Sequence, residues 1–240
     1  GSTPAVLGGA NAAIYLIGCT DVIVEDCLAT GKFYVAFNIS EGQQYTFRDC
    51  KAYGFVNRGF YINSGQGGTT SGTLKHVKIL DCVADGLDGG SVSDVGRYGF
   101  NTNCFGTATA DDILFHGCIA LGVYGHGFAA SERMTNTKIV NCHVVTTSVD
   151  CVCIIVQFAN TFRADRNLVE GCSTTGGFIG IEVTESDYTQ IASCTIRSAV
   201  DNGLYIVDSK YVSVTDLHSK SNGGRGVNIA ATGAGDSDYI

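Results

Sequence analysis

Apolar and polar residues alternate in short segments along this chain, and the segments recur. The unit apolar-x-x-Cys appears as Val24-Glu25-Asp26-Cys27, Phe47-Arg48-Asp49-Cys50, Ile79-Leu80-Asp81-Cys82 and Phe115-His116-Gly117-Cys118. It continues as Ile139-Val140-Asn141-Cys142, Val169-Glu170-Gly171-Cys172 and Ile191-Ala192-Ser193-Cys194, with Leu217 filling the slot in Val214-Thr215-Asp216-Leu217. Successive slots are 23, 32, 36, 24, 30, 22 and 23 residues apart. The short steps define one turn of a repeat, and the long ones carry insertions. Two residues past the slot stand Ala29, Ala52, Ala84, Ala120, Val144, Thr174, Ile196 and Ser219. A second alternating segment follows in each turn, among them Gly59-Phe60-Tyr61-Ile62, Gly99-Phe100-Asn101-Thr102, Gly127-Phe128-Ala129-Ala130 and Gly180-Ile181-Glu182-Val183.

Alternation with period two marks strands with one buried face, and the units are too short and too punctuated by Gly for a 3.6-residue helical period. Turns of about 22 residues that stack short strands about 4.8 Å apart make a solenoid. The period also suits leucine-rich repeats, but their Leu-x-Leu and Asn signature is absent. The fold expected is therefore all-β: a right-handed parallel β-helix of about eight to nine coils, one domain over residues 1–240. The chain reads as a segment of a longer protein.

Composition narrows the class. Charged residues are 16% and hydrophobic ones 45%, so disorder is excluded. No apolar run approaches the roughly 18 residues of a membrane span, so no membrane insertion is expected. The net charge of −8 argues against nucleic acid. It argues against an anionic polymer too, unless positive charge is concentrated in one groove. Thirty-two Gly with a single Pro fit tight turns between strands whose N–H groups are all engaged.

Seven of the eleven cysteines occupy the inward slot. Stacked side chains point the same way, which keeps Cβ atoms at about 4.8 Å, beyond the usual disulfide range. The expectation is a ladder of buried free thiols that folds in a reducing cytoplasm, with later export or virion association open. Cys151-x-Cys153 lacks the second pair of a four-ligand site, so no structural metal is expected. Cys19 and Cys104 are expected in loops. No cofactor is expected, with Ca²⁺ in the Asp85–Asp94 loop left open.

Insertions supply the cleft that a regular coil lacks. They fall at Asn63–Thr73, at Leu87–Gly96 with Asp88 and Asp94, at Asn103–Ala110, and at Ser131–Thr137 with Arg133. All border three consecutive second strands. Their outward residues are Tyr61, Asn63, Asn101, Asn103 and Ala129, and Arg58, Tyr98 and His126 lead into them. Arg58, Tyr98 and His126 are the catalytic candidates. Tyr61, Asn63, Asn101, Asn103, Asp88, Asp94 and Arg133 are the substrate-binding candidates. An acid–base pair with cationic and amide donors suits removal of a proton α to a carboxylate. The alternative is an Asn hydrogen-bonding ladder with Tyr and His capping coil corners.

The pattern resembles the pectate-lyase-like β-helix superfamily, and mannuronan C5-epimerase catalytic modules in particular. Arg97-Tyr98-Gly99-Phe100-Asn101-Thr102-Asn103 resembles that family's Tyr-Gly-Phe-Asp-Pro-His, and Gly125-His126-Gly127-Phe128 its Arg-His-Gly-Phe. The resemblance implies a catalytic Tyr98 and a site His126 acting on a polysaccharide. Asn101 stands for the family's Asp, Asn103 for its His and Gly125 for its Arg, and the two pieces lie one turn apart rather than two. The chain also resembles phage tailspike β-helices, which implies a polysaccharide partner and a homotrimer. For a hydrolytic tailspike the carboxylates Asp88, Asp94, Glu132, Glu182 and Asp187 would carry the chemistry. Two classes thus stand: a lyase, epimerase or hydrolase, and a non-catalytic receptor-binding or structural spike segment.

Overall fold

The computed structural model describes residues 12–65, 72–86, 97–104, 106–157 and 164–231. The chain is a right-handed parallel β-helix. One wall is an eight-stranded sheet of three-residue strands: Leu28–Thr30, Lys51–Tyr53, Val83–Asp85, Ile119–Leu121, His143–Val145, Ser173–Thr175, Thr195–Arg197 and His218–Lys220. Their central residues are the eight companion positions two past each slot, and each strand pairs in parallel with the next coil's copy. The other eighteen strands form one continuous sheet.

That sheet is continuous because two strands bend through two ladders. Val35–Arg48 pairs with Arg58–Ser64 through its first half and with Thr73–Leu80 through its second. In later coils the two ladders are made of separate strands, as in Ile179–Thr184 and Gln190–Ala192. The first ladder runs Arg58–Ser64, Tyr98–Cys104, His126–Ser131, Val152–Gln157, Ile179–Thr184, Leu204–Val207 and Val227–Ala230.

The corner before each slot has its own rule. Asp26, Asp49, Asp81, Gly117, Asn141, Gly171, Ser193 and Asp216 all have φ between 51° and 65°. Asp, Asn and Gly tolerate this left-handed region best, which is why they fill the third position of apolar-x-x-Cys. Each corner N–H from Asp26 to Ser193 donates to a carbonyl of the next coil, as in Asp81 N to His116 O at 2.9 Å.

The core is layered. Phe37, Phe60, Phe100 and Phe128 stack in one file with centroids 4.6, 4.8 and 4.7 Å apart. Phe47 and Phe115 meet the file edge-on. Ile154, Ile181 and Leu204 continue it. The recurrent Gly before these residues follows from how closely the walls approach. A Cβ on Gly127 would sit 2.6 Å from a methyl of Val144, and one on Gly99 would sit 2.9 Å from the Ala120 Cβ. The x-Gly-Phe motif is thus a requirement of the coil's cross-section.

All eleven cysteines are free, and those at slots 50 to 194 are buried. The carbonyl of each slot cysteine accepts a hydrogen bond from the next coil, as in Val83 N to Cys50 O at 2.9 Å. The thiols donate to backbone carbonyls, for instance Cys82 Sγ to Leu80 O at 3.2 Å. Cys19 and Cys104 lie in strands rather than in the loops expected of them. Burial pushes the Cys104 thiol up to about 12, so it is no nucleophile near neutral pH. Among the described residues, no helix is long and apolar enough to cross a membrane.

Candidate functional site

The ladder register assembles the site. Arg58 lies beside Tyr98, and Tyr98 beside His126. One position column runs Asn38, Tyr61, Asn101, Ala129, Ile155, Glu182 and Tyr205. A second runs Ser40, Asn63 and Asn103. The strands reach further than the sequence suggests: Asn63 and Asn103 belong to Arg58–Ser64 and Tyr98–Cys104, not to the loops after them. Alternation also predicts an open outward face here, yet Tyr61, Asn63, Asn101 and Ala129 are buried. Arg58, Tyr98, Asn103, His126, Glu132 and Arg133 form a half-buried rim.

Arg58 is held on several sides. Its Nε donates to Asn101 Oδ1 at 2.9 Å. Its guanidinium carbon lies 4.1 Å from the centre of the Tyr61 ring and 5.4 Å from that of Tyr98. Both contacts are cation–π attractions. No carboxylate pairs with Arg58 among the described residues, so its terminal N–H groups are left for another acceptor.

Tyr98 stacks at 5.2 Å and 32° against His126, and the exposed Arg97 guanidinium lies 5.0 Å from its ring centre. Burial lowers the His126 pKa to about 4; the Arg97 charge adds to this and the Val152 backbone opposes it. His126 is therefore neutral at pH 7. Its Nδ1 is buried and has no partner among the described residues. Gly125 makes room for this pair. A Cβ there would lie 2.8 Å from the Arg97 carbonyl and 2.9 Å from Tyr98 Cε1. The Arg that the epimerase motif carries at this position does not fit unless Tyr98 moves.

Burial pushes Tyr61 up to about 12, opposed by the Arg58 charge and the neighbouring Asn103 amide and assisted by Glu132. Glu132 follows the His126–Ser131 strand at a corner with φ 49°, and burial raises its pKa. The Ser40–Asn63–Asn103 column has unmet hydrogen-bonding capacity. Among the described residues, none partners the buried Ser40 Oγ, Asn63 Oδ1 or Asn103 Oδ1. Each such group costs about 1–3 kcal/mol if nothing satisfies it.

The structure thus brings together Arg58, Tyr61, Asn63, Tyr98, Asn101, Asn103 and His126. Glu132 and Arg133 join them at the corner, where both charges act on the Cys104 thiol. Asp88 and Asp94, with most of the proposed calcium loop, lie outside the described residues. Glu182 is in the same column but three coils beyond Asn101, about 14 Å away at normal strand spacing. Asp187 lies beyond it near a later corner, where its Oδ1 accepts from Lys210 N at 3.1 Å. Of the described candidate carboxylates, Glu132 stands at the rim, while Glu182 and Asp187 lie away from Arg58. Sequence reasoning passed over Arg97, although it immediately precedes Tyr98, and Ser40, although its polar column was readable from the repeat. Among the described residues no group of three or more His, Cys, Asp or Glu is placed to share a metal ion.

No protein-family model and no curated protein matches the chain. Solved structures do. The Streptococcus pneumoniae surface protein and adhesin PfbA matches with TM-score 0.68 and 12% identity over 91% of this chain and 63% of that one. The chain thus spans under two thirds of that adhesin's length. The A-module of Azotobacter vinelandii mannuronan C-5 epimerase AlgE6 matches with TM-score 0.52 and 14% identity, over 92% and 71% of the two chains. The catalytic domain of a GH87 α-1,3-glucanase matches with TM-score 0.54 and 11% identity, over 93% and 50%. The protein is a parallel β-helix of the kind these share. At such identities the likeness extends to the fold alone.

Proposed function

We propose that the protein binds an acidic polysaccharide across the Arg58–Tyr98–His126 rim and processes it by proton abstraction next to the sugar carboxylate. The observation that carries this reading is Arg58: half-buried, fixed by Asn101 and Tyr61, and without an acidic partner among the described residues. Arg97 and Arg133 add positive charge nearby, in a chain whose net charge is −8. A guanidinium so held presents its remaining N–H groups to a carboxylate. Tyr98 and the neutral His126 form the acid–base pair. One takes the proton from the carbon α to the carboxylate while Arg58 stabilises the enediolate. Departure of the glycosidic oxygen gives an unsaturated product; return of a proton to the opposite face gives the epimer. The neighbours, an epimerase and a glucanase among them, support a polysaccharide as partner.

A screen of acidic and neutral polysaccharides tests this, reading the absorbance of unsaturated ends, reducing ends and epimer ratio by NMR. The expected result is turnover of an acidic polymer that Tyr98→Phe abolishes without moving the melting temperature. Full activity in Tyr98→Phe would refute the assignment.

The likeness to an adhesin favours a second reading, a non-catalytic glycan- or receptor-binding segment. Binding would then survive loss of both Tyr98 and His126, and a trimeric spike is the assembly to look for by light scattering. The free thiols suit folding in a reducing compartment before any export.

A further inference from the structure

The edge that leads into the His126–Ser131 strand continues over the next three coils, and there it changes character. The same two ladders bracket each corner. Leu121, Val145, Thr175 and Arg197 end the three-residue strands before it, and His126, Val152 and Ile179 follow it. Tyr124 stands in the corner of the His126 coil, Val149 and Asp150 in the next, then Phe178, then Val200 and Asp201. The corners are joined to one another. Ser148 Oγ donates to Tyr124 O at 3.4 Å, Phe178 N to Cys151 O at 2.6 Å and Asp201 N to Phe178 O at 2.9 Å. Yet Val149, Phe178 and Val200 are 58%, 41% and 49% exposed, so folding gains little from their being apolar. Single exposed apolar residues are ordinary, but three on consecutive coils form a patch, the usual mark of a binding surface. Within corner residues 146–151, 176–178 and 198–201 the charged residues are Asp150 and Asp201. Arg197 belongs to the wall before its corner, and Arg225, one coil beyond Asp201, is engaged by Asn228 Oδ1 at 2.6 Å. The edge thus passes from Arg58 and Arg97 to an apolar patch flanked by carboxylates.

We infer that the Val149–Phe178–Val200 patch continues the polysaccharide site and takes sugars that carry no acid group. A pyranose ring has an apolar C–H face and a border of hydroxyls. The Phe178 ring and the valine methyls suit the face, and Asp150 and Asp201 are acceptors for the hydroxyls. The same two carboxylates repel an acid sugar. Phe178 lies four coils beyond Arg58 on the one edge, about 19 Å at normal strand spacing, within reach of a single extended oligosaccharide. The substrate class follows from the change of character along that edge. It is a heteropolysaccharide whose acid sugars are set apart by uncharged ones, rather than a homopolymer of uronates. Phe178 is then a specificity-determining residue that takes no part in proton transfer. The inference rests on the reading of Arg58 as the acid-sugar site.

The test titrates the full chain by calorimetry with two oligosaccharides of matched length. One is cut from gellan, a linear polymer whose glucuronates are separated by uncharged sugars; the other is cut from polygalacturonate, in which every sugar is acidic. Wild type should bind the gellan fragment more tightly. Phe178→Ala should weaken that binding about tenfold and leave polygalacturonate binding as it was. Its melting temperature should stay at the wild-type value, because the side chain is exposed. Asp150→Lys, also at an exposed position, should strengthen polygalacturonate binding about threefold. Equal affinity of the wild type for the two fragments would overturn the inference. Gellan binding that is lost in Arg58→Ala but unchanged in Phe178→Ala would overturn it too, and leave the rim reading standing. The opposite pattern, loss in Phe178→Ala alone, would sink the rim reading and keep the patch as a sugar site. A dimer or trimer that Phe178→Ala dissociates in light scattering would mean that a second copy covers the patch, and would count against a sugar there.

Discussion

Replacing His126 with phenylalanine should make the protein's stability much less sensitive to mild acid. His126 is packed against Tyr98, and its pKa is lowered from 6.5 to about 4, mainly by burial. Because the folded value lies below the unfolded one, the unfolded chain binds more protons between them. Stability is then full above about pH 6.5 and falls as pH drops toward 4. From the two values the loss is about 2 kcal/mol at pH 5.0 and ~3 kcal/mol below pH 4. Phenylalanine keeps a ring against Tyr98 and removes the titration. Glu132 and Glu182, raised by burial, act in the opposite direction in both proteins and cancel in the comparison. Urea unfolding at pH 7.5, 6.0 and 5.0 reads the difference. Wild type should lose about 2 kcal/mol more than His126→Phe between the ends of that series. Parallel profiles within about 0.5 kcal/mol would mean that His126 is not held neutral by burial, and the acid–base pairing with Tyr98 would lose its basis.

Phe100→Ala should cost about 3–5 kcal/mol in chemical denaturation, since Phe100 is fully buried between Phe60 and Phe128; a loss under 1 kcal/mol would contradict the layered core. Gly125→Ala should cost about 1–3 kcal/mol and reduce polysaccharide binding or turnover further than that loss explains, because its Cβ displaces Tyr98; unaltered function would show that the Tyr98 position is not critical. Native thiol labelling should be confined to the half-buried Cys19 and Cys27, with all eleven cysteines reacting in denaturant; rapid native labelling of the other nine would contradict their burial.

The solenoid was legible because the same corner returns in every coil. Asp, Asn, Gly or Ser before the slot, and a small residue two past it, are answers to one backbone conformation and one wall-to-wall distance. The column at Arg58, Tyr98 and His126 was legible for the same reason, since register follows from the repeat. Exposure was not. Alternation says that Tyr61 and Asn101 point away from the core, and carries no information on whether that outer side meets solvent. The unmet oxygen of Asn63 was equally out of reach, because it depends on which way an amide turns to satisfy Asn38 and Ile39. The Gly-Phe motif belongs to the fold whatever the site does, since a Cβ on Gly99 or Gly127 would press on Ala120 or Val144 of the facing wall.

The left-handed corner before each slot has a consequence for how such a chain can change. Steps between slots vary from 22 to 36 residues, yet every coil re-enters the same corner, slot and three-residue strand in register. The corner works as a reset. Whatever length has been spliced in upstream, the backbone is turned back onto the frame before the next coil begins, so errors of spacing do not accumulate along the axis. New loops can therefore be grafted beside the rim one at a time, each leaving its neighbours where they were. A scaffold of this kind can trade one surface specificity for another without refolding its interior.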